Sequence, residues 1–239
     1  MTAADVQHDL QKHASEYDAT FLQGFFKTGA GQYGAGDVFI GVRVPQTRAV
    51  CKVYKDLPLA QVQELLNSDI HEHRLAALII LTLQFPKADA ATQQKIYELY
   101  LKNVRDGRVN NWDLVDTSAD KIVGAYLLDK PRDILYKFAK SDSLWEKRVA
   151  MIATFWFIKR GEPATALEIA EILLHDTHDL IQKAVGWMLR EIGKRCDEQI
   201  LTNFLDQHAH DMPRTALRYS IERLSPDLKK HYMQQKTLR

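Results

Sequence analysis

Residues 180–195, LIQKAVGWMLREIGKR, contain the clearest helical pattern in the chain. At about 100° per residue, a helix over this segment has two distinct faces. One face is aliphatic and consists of Ile181, Ala184, Val185, Met188 and Ile192. The opposite face is a column of Lys183, Trp187, Arg190 and Lys194. The pattern predicts a helix that buries its aliphatic side against other helices.

A tryptophan in the middle of a basic column is compatible with two interpretations. Lysine and arginine neutralise phosphates, and an indole can lie against a sugar or a base, so the column could contact nucleic acid. A solvated face, on which Trp187 covers the lysine stems or packs on a neighbouring repeat, would show the same residues. The column by itself leaves both interpretations open.

Similar helix openings recur along the chain. The triplets RLA at 74–76, RVA at 148–150 and RTA at 214–216 each begin an apolar helix, NW at 111–112 opens another, and KA at 183–184 occupies a similar place. The spacing of 31 to 38 residues is typical of an α-solenoid of stacked helix pairs with one concave surface. We therefore predict an all-α fold and one domain over residues 1–239. An irregular helical bundle is the alternative.

Turn-forming residues divide these helices. The seven prolines are expected at or just outside helix starts, where the missing N–H is tolerated. They are Pro45, Pro58, Pro86, Pro131, Pro163, Pro213 and Pro226. The helices between them should run about 10 to 18 residues. The glycine-dense residues 29–36 are expected to form a flexible connection, and Trp156 and Phe157 are expected in the core.

Bulk composition permits a globular protein but does not announce a partner. Of 239 residues, 46% are apolar and 26% are charged, with a formal net charge of +1, so a basic surface would need uneven charge placement. Cys51 and Cys196 are far apart, which favours a reducing compartment. The N-terminus lacks a signal pattern, and residues 76–83 and 151–158 are too short to span a bilayer. We expect a cytoplasmic protein without a membrane partner.

Several chemistries find no support in the motifs. The sequence contains no GxGxxG on a strand–helix turn, no P-loop and no GxSxG. Histidines occur in pairs without a third ligand at metal spacing, so we expect solvated or capping histidines and no metal or cofactor. These are His71, His73, His208 and His210.

Residues 111–116, NWDLVD, place Trp112 and Asp116 four residues apart, on one face of a helix. Asp113 lies in the first turn, where a carboxylate favours the helix dipole. Alone, the Trp112/Asp116 pair indicates little.

Together with other blocks, this segment resembles the AlkD-type DNA alkylation repair glycosylases. The similar blocks are residues 25–28 (FFKT) through 41–45 (GVRVP), 111–116, 145–148 (WEKR) and 181–191 (IQKAVGWMLRE), in order over about residues 21 to 224. The resemblance implies a right-handed superhelical α-solenoid of HEAT-like helix pairs with a concave DNA-binding face. It implies a monomeric, nucleoid-associated enzyme that releases N3- or N7-alkylated purines from double-stranded DNA. Such enzymes need no metal or cofactor and do not extrude the damaged base.

The resemblance also assigns residues. It implies that Asp116 is catalytic and that Trp112 and Trp187 are the two essential tryptophans. The DNA-contacting residues that we expect are Arg148, Arg190, Lys183, Lys194, Arg43, Arg48 and Phe25. Phe25 stands where well-known members carry a tyrosine that approaches the lesion, so that hydroxyl contact is absent here.

The implied reaction explains why one carboxylate could suffice. An N3- or N7-alkylpurine carries a positive charge and leaves as a neutral base, so no general acid is needed, unlike in ordinary glycosidases. Asp116 would stabilise the oxocarbenium-like sugar and position or deprotonate water. Trp112 and Trp187 would offer π faces to that cation. Arg148, Arg190 and Lys183 would hold phosphates without reading sequence.

Two other functions remain open. A DNA-binding solenoid of the same family could have lost catalysis through a geometric change at Phe25. A protein–protein scaffold, a common use of HEAT arrays, would instead show an apolar or acidic concave groove.

Overall fold

Helices make up nearly all the regular structure of the computed structural model, which describes residues 1–235. The strand-like feature in this range is an isolated parallel bridge between Val38 and Ile70. The all-α prediction is confirmed. The superhelical arrangement of HEAT-like pairs stays a prediction.

The first of two compact units covers residues 1–126. Its helices are α1 (Ala3–Gln11), α2 (Glu16–Phe25), α3 (Val44–Val53), α4 (Leu59–Leu66), α5 (His71–Gln84), α6 (Ala90–Arg105) and α7 (Trp112–Ala119), with a 3₁₀ turn at Phe85–Lys87 and a π-helical segment at Asp120–Gly124. The second unit begins at Leu127. Its helices are α8 (Asp133–Ala139), α9 (Leu144–Ala153), α10 (Phe155–Ile158), α11 (Ala164–Ile172), α12 (Asp179–Arg195), α13 (Glu198–His208), α14 (Arg214–Ser220) and α15 (Pro226–Gln234). The prediction of one domain over residues 1–239 stays a prediction.

Helix α5 is the centre of the first unit. It packs against α1, α3, α4 and α7, and its residues 71–81 are all buried. The last seven of these are apolar and form the core, but the first four are His71, Glu72, His73 and Arg74. Buried polar and charged groups are tolerated only with partners, so the start of α5 requires a polar network around it.

Helix α12 has the same central place in the second unit, where it packs against α9, α10, α11, α13 and α14. The aliphatic face predicted from the sequence is buried throughout, and Lys194 on the opposite face is exposed. The predicted division of this helix into two faces is therefore confirmed. Gly186 lies on the buried side, where the backbones of α12 and α14 approach each other closely.

Gly186→Ala should destabilise the second unit by about 2 kcal/mol, the usual cost of overpacking. A Cβ at this position would press on the carbonyl oxygen of Ala216 and lie 2.5 Å from the Cβ of Tyr219. Gly193→Ala is the matched control on the same helix, since its Cβ would lie nearest to a terminal methyl group of Leu201 and not to backbone atoms. Urea denaturation of both variants checks the order. Equal stability of the two would contradict the close packing of α12 on α14.

The repeat predicted some helix starts and missed others. Helices α7 and α14 begin at Trp112 and Arg214, as predicted, and Asn111 caps α7. Arg74 and Arg148 lie farther inside their helices, because α5 begins at His71 and α9 begins after the Ser143 cap. Polar residues ahead of each apolar run belong to the helix, which the hydrophobic pattern alone does not show.

The predicted minimum helix length of about ten residues is wrong for several helices. The clearest case is α10, which has four residues. The Thr154 hydroxyl donates to the carbonyl oxygen of Met151 at 2.6 Å, a side-chain bond that competes with the helical ladder. Phe157 is fully buried, as predicted. Trp156 is only half-buried, and the Arg160 guanidinium lies 3.9 Å from its ring centroid.

No helix within residues 1–235 combines the length and the apolar content that crossing a membrane would require.

Candidate active site

The first unit contains a cavity of about 610 Å³ at the N-terminal ends of α3, α5 and α7. Aromatic and aliphatic side chains dominate its wall, and exposed Phe21, Phe25 and Arg48 contribute to it. The lining residues are Phe21, Leu22, Phe25, Phe26, Phe39, Val42, Arg43, Val44, Pro45, Arg48, His71, Glu72, Leu75, Trp112, Asp113, Asp116, Thr117 and Lys121. A mostly apolar concavity with a few polar groups is the usual form of a binding site.

Helix α7 brings Trp112 and Asp116 to this cavity. The Asn111 side chain accepts a hydrogen bond from the Trp112 backbone N–H at 2.9 Å and fixes the helix start. Trp112 and Asp116 are both half-buried and both line the cavity. The sequence prediction that they share one face is confirmed, and the Asp116 side chain reaches a cavity whose wall is mostly aromatic and aliphatic.

The Trp112 ring rests on a stack of aromatic rings. It lies parallel to Phe26, with 5.2 Å between ring centroids, and Phe26 stacks on Phe39 at 5.1 Å. The imidazole of His71 follows at 4.4 Å from Phe39. Phe25, which is 53% exposed, meets Trp112 edge-on at 6.0 Å. The stack fixes the orientation of the Trp112 ring, and Phe25 presents an apolar surface beside it.

A buried polar network lies under this stack. His71 is placed between two carboxylates, with Nδ1 2.9 Å from Asp37 and Nε2 2.9 Å from Asp113. The Arg74 guanidinium donates to the Asp37 carboxylate at 2.5 Å, and the Asn110 amide donates to the same carboxylate at 2.8 Å. Charge-assisted hydrogen bonds of this kind satisfy the charges that the burial of α5 removes from water.

The expectation of solvated or capping histidines is wrong for His71 and His73, which are 1% and 5% exposed. His71 is buried because Asp37 and Asp113 supply an acceptor for each ring nitrogen. The Nδ1 atom of His73 lies 2.9 Å from the Ser68 hydroxyl. Within residues 1–235, no group of three His, Cys, Asp or Glu side chains is placed to hold a metal ion.

The two histidines titrate in opposite directions. Burial disfavours the His71 cation, but the charges and hydrogen bonds of Asp113 and Asp37 outweigh it and raise the pKa of His71 to about 9. Burial, helped by the Arg74 charge, lowers the pKa of His73 to about 4. Burial also opposes ionisation of Asp37, yet its bond with His71 and the Arg74 charge hold the pKa of Asp37 below its ordinary value.

Stability should therefore decline on both sides of about pH 6.5, the ordinary histidine value. Above it, the folded state keeps the His71 proton that the unfolded state loses, so unfolding free energy falls until about pH 9. Below it, the unfolded state gains a His73 proton that the folded state refuses until about pH 4. We expect at least about 1 kcal/mol on each limb, measured by urea denaturation across pH. His71→Gln should not show the decline in unfolding free energy above pH 6.5. If its unfolding free energy falls with pH as steeply as that of the wild type, His71 is not the cause of this decline.

Glu72 connects α5 to the cavity wall in another way. Its carboxylate, 1% exposed, accepts the backbone N–H groups of Ile40, Gly41 and Val42 at 3.2, 2.8 and 3.2 Å. Gly41 has a φ of 83°, and a Cβ there would collide with the Ser15 carbonyl oxygen. The segment that carries Phe39 and Val42 is thus fixed from below by one carboxylate.

Sequence reasoning missed Asp37, His71, Glu72 and Arg74. Their signal in the sequence is four polar residues, HEHR, directly before seven apolar ones. A short polar run at the start of a fully buried helix requires partners elsewhere in the chain. The residues 29–36, expected to be a flexible connection, lead directly into Asp37 and Phe39, which are both buried.

The predicted cations of the first unit differ in their surroundings. Arg43 is exposed and donates two hydrogen bonds to Asp18, at 3.0 and 2.6 Å. Arg48 is exposed at the cavity wall. Of the two, Arg48 is thus the better placed to meet an anion at the cavity.

The second unit carries the other predicted residues. Trp187 is half-buried on α12, with its ring centroid 5.9 Å from that of Phe155. Lys183 pairs with Asp179 at 2.7 Å, and Arg190 pairs with Glu222. The basic column on α12 therefore exists, with two of its cations already facing carboxylates.

Arg148 is more deeply placed than a phosphate contact suggests. It is 5% exposed, and its guanidinium donates to the backbone carbonyl oxygen of Leu180 at 2.5 Å. This bond joins α9 to the first turn of α12. The expected phosphate contact of Arg148 stays a prediction, and the structure adds a positioning contact to it.

A protein-family model and a solved structure are similar to this chain. The family model described as DNA alkylation repair enzyme matches residues 6–224. The solved structure of a predicted DNA alkylation repair enzyme from Enterococcus faecalis is similar with a TM-score of 0.70 and 16% sequence identity, over 90% of this chain and 98% of that one. No curated protein sequence matches the chain. At this identity the structural likeness shows the fold, and the family model shows the kinship. The chain thus belongs to the family of DNA alkylation repair enzymes.

Proposed function

We propose that this protein is a DNA glycosylase that hydrolyses the N-glycosidic bond of cationic N3- or N7-alkylated purines in double-stranded DNA. The observation that carries the proposal is the placement of the Asp116 carboxylate and the Trp112 indole on one mostly apolar cavity wall. Membership in a DNA alkylation repair family supplies the substrate class. We further propose that it acts as a monomer in the cytoplasm, at the nucleoid, on a HEAT-like concave face.

In the proposed reaction, the bond between C1′ and the purine nitrogen breaks, and its electron pair neutralises the cationic base. The base needs no proton, so a single carboxylate is sufficient. Asp116 stabilises the positive charge that develops on the sugar and takes the proton of the water that adds to C1′. The products are the free alkylpurine and an abasic site.

Trp112 has a π face for the cationic sugar or the lesion. Because Phe26 and Phe39 support the ring from behind, its orientation is set before substrate arrives. Preorganisation of this kind lowers the cost of reaching the reactive geometry. A ring fixed at the protein surface can meet a nucleotide that stays in the duplex, which fits excision without base extrusion.

Contacts to the DNA backbone are proposed for the exposed and half-buried cations of both units. Arg48 and Arg43 serve the cavity, while Lys183, Arg190 and Lys194 flank Trp187 on α12. Trp187 is proposed as the second essential tryptophan of the enzyme. Such contacts fix register without reading bases.

The charge of the lesion tests the proposal. The wild-type protein is incubated with duplexes that carry either cationic 7-methylguanine or one of the neutral lesions uracil and hypoxanthine, and the released bases are measured. Release of 7-methylguanine alone supports the mechanism. Equal release of neutral lesions would contradict it, and DNA binding without any release would favour a family member that has lost catalysis. Failure to bind DNA at all would favour a protein scaffold.

Arg48→Ala should weaken binding to lesion-containing duplex and reduce the slope of log affinity against log salt by about 0.9, the value for one phosphate contact. Arg48 is exposed at the cavity, so its removal leaves the core intact. Lys95→Ala removes an exposed cation of α6 that does not line the cavity and is the matched control. Fluorescence anisotropy at several salt concentrations measures both slopes. Identical slopes for the two variants would remove Arg48 from the interface.

A further inference from the structure

We propose that His71 is a positioning residue of the excision site: as a doubly protonated imidazolium bridging Asp37 and Asp113, it holds the start of α7 and with it the Trp112 ring. The inference rests on the proposed glycosylase function, which it deepens. His71 touches neither Trp112 nor Asp116 through a hydrogen bond. Its effect passes through Asp113 on one side and through the aromatic stack on the other.

Between two ionised carboxylates, this geometry calls for two protons on the ring. Each nitrogen of His71 lies 2.9 Å from a carboxylate oxygen. A neutral imidazole has one N–H donor and one lone pair, so one of its nitrogens would face a carboxylate with a lone pair. Only the imidazolium donates to both. The raised pKa of His71 agrees with this arrangement.

The two carboxylates depend on His71 to different degrees. Asp37 also accepts from Arg74 and Asn110. For Asp113, the hydrogen bond that the structure shows is the one from His71, and its other oxygen, Oδ1, is buried without a partner among the described residues. When His71 loses a proton, the bond to Asp113 is therefore the one expected to break.

Asp113 transmits this change to the site. It is the second residue of α7, directly after Trp112 and three residues before Asp116. On the opposite side, the His71 ring stacks on Phe39 at 4.4 Å and lies 5.2 Å from Phe26, on which Trp112 rests. His71 is thus in contact with both supports of Trp112, its helix and its ring stack.

Other charged groups around His71 have their own surroundings. On α5, the Glu72 carboxylate accepts backbone N–H groups and the Arg74 guanidinium donates to Asp37. The His73 ring lies beside the Ser68 hydroxyl. At the start of α3, the charged groups at the cavity are Arg43, which is the N-cap residue, and Arg48. From α7 and the π-helical segment they are Asp116 and Lys121. The residues hydrogen-bonded to the imidazole itself are Asp37 and Asp113. We therefore expect these two carboxylates to be the main groups that raise the pKa of His71.

The first arm of the test needs no activity. Nitrogen-15 NMR of the His71 ring in the wild-type protein should show both nitrogens protonated at pH 7 and a midpoint near pH 9. The indole N–H resonance of Trp112, assigned by its loss in Trp112→Phe, should shift with the same midpoint. Asp113→Asn, which removes one carboxylate charge but keeps the side-chain size, should lower the His71 midpoint by at least one pH unit. A His71 midpoint below pH 7, or a Trp112 resonance that ignores it, overturns the proposal.

The second arm measures excision of 7-methylguanine under single-turnover conditions from pH 6 to 10. The ratio of wild-type to His71→Gln rates cancels titration of the substrate. We expect a ratio of about tenfold or more at pH 7, since small displacements of positioning groups cost rates of this order, and a ratio near one above pH 9. A ratio that stays constant across pH overturns the positioning role. Absence of excision in the wild type would refute the glycosylase function instead, and the NMR arm would still decide the role of His71.

Discussion

Asp116→Asn should lower the single-turnover rate of 7-methylguanine release from duplex DNA by about 10³-fold, the upper range for loss of one preorganised electrostatic group. The amide keeps the size of the carboxylate but removes the negative charge that, in the proposed reaction, stabilises the developing sugar cation. It also cannot accept a proton from water at neutral pH. The side chain is half-buried on the cavity wall, so the fold should tolerate the change. Rapid-quench release of the free base measures the effect.

The control for this variant is Asp69→Asn, which neutralises an exposed aspartate of the same unit. Its rate should equal that of the wild type. Circular dichroism and DNA affinity of Asp116→Asn should also match the wild type, which separates catalysis from folding and binding. A rate for Asp116→Asn within tenfold of the wild type would remove Asp116 from the reaction.

Glu72→Ala should reduce the free energy of unfolding by at least about 3 kcal/mol. The carboxylate accepts three backbone N–H groups of residues 40–42, and each buried donor left without a partner costs roughly 1–3 kcal/mol. The same change should loosen the segment that carries Phe39 and Val42 at the cavity wall. Equilibrium urea denaturation of the full chain gives the loss directly.

Glu72→Gln is the matched comparison, because it keeps the shape and one acceptor oxygen. Its amide nitrogen would face a backbone N–H that the carboxylate now satisfies, so we expect a loss between those of wild type and Glu72→Ala. If both variants unfold at the wild-type urea concentration, Glu72 does not hold this segment.

The features that the sequence predicted are local in the chain. The two faces of α12 follow from residues within one helix, and the hydrophobic period finds them without tertiary information. Trp112 and Asp116 are one helical turn apart, so the sequence alone also predicts that they share one helix face. That both residues line one cavity is seen only in the structure.

The features that escaped prediction join distant parts of the chain. Asp37, His71 and Asp113 come from a loop and two helices, and periodicity says nothing about such meetings. A histidine pair without metal spacing suggests a solvated surface, whereas the fold supplies two carboxylates to His71. Arg148 shows the opposite case, since a basic residue expected to meet phosphate is largely enclosed and bound to the Leu180 carbonyl.

We propose that repair by this protein proceeds by cleavage of the glycosidic bond. The decisive measurement is mass spectrometry of the products formed when the wild-type protein in excess is mixed with a duplex that contains one 7-methylguanine. We expect free 7-methylguanine and a strand with one abasic site, formed at a rate far above that of spontaneous loss. An intact strand in which guanine has replaced 7-methylguanine, or an unchanged duplex, would contradict it.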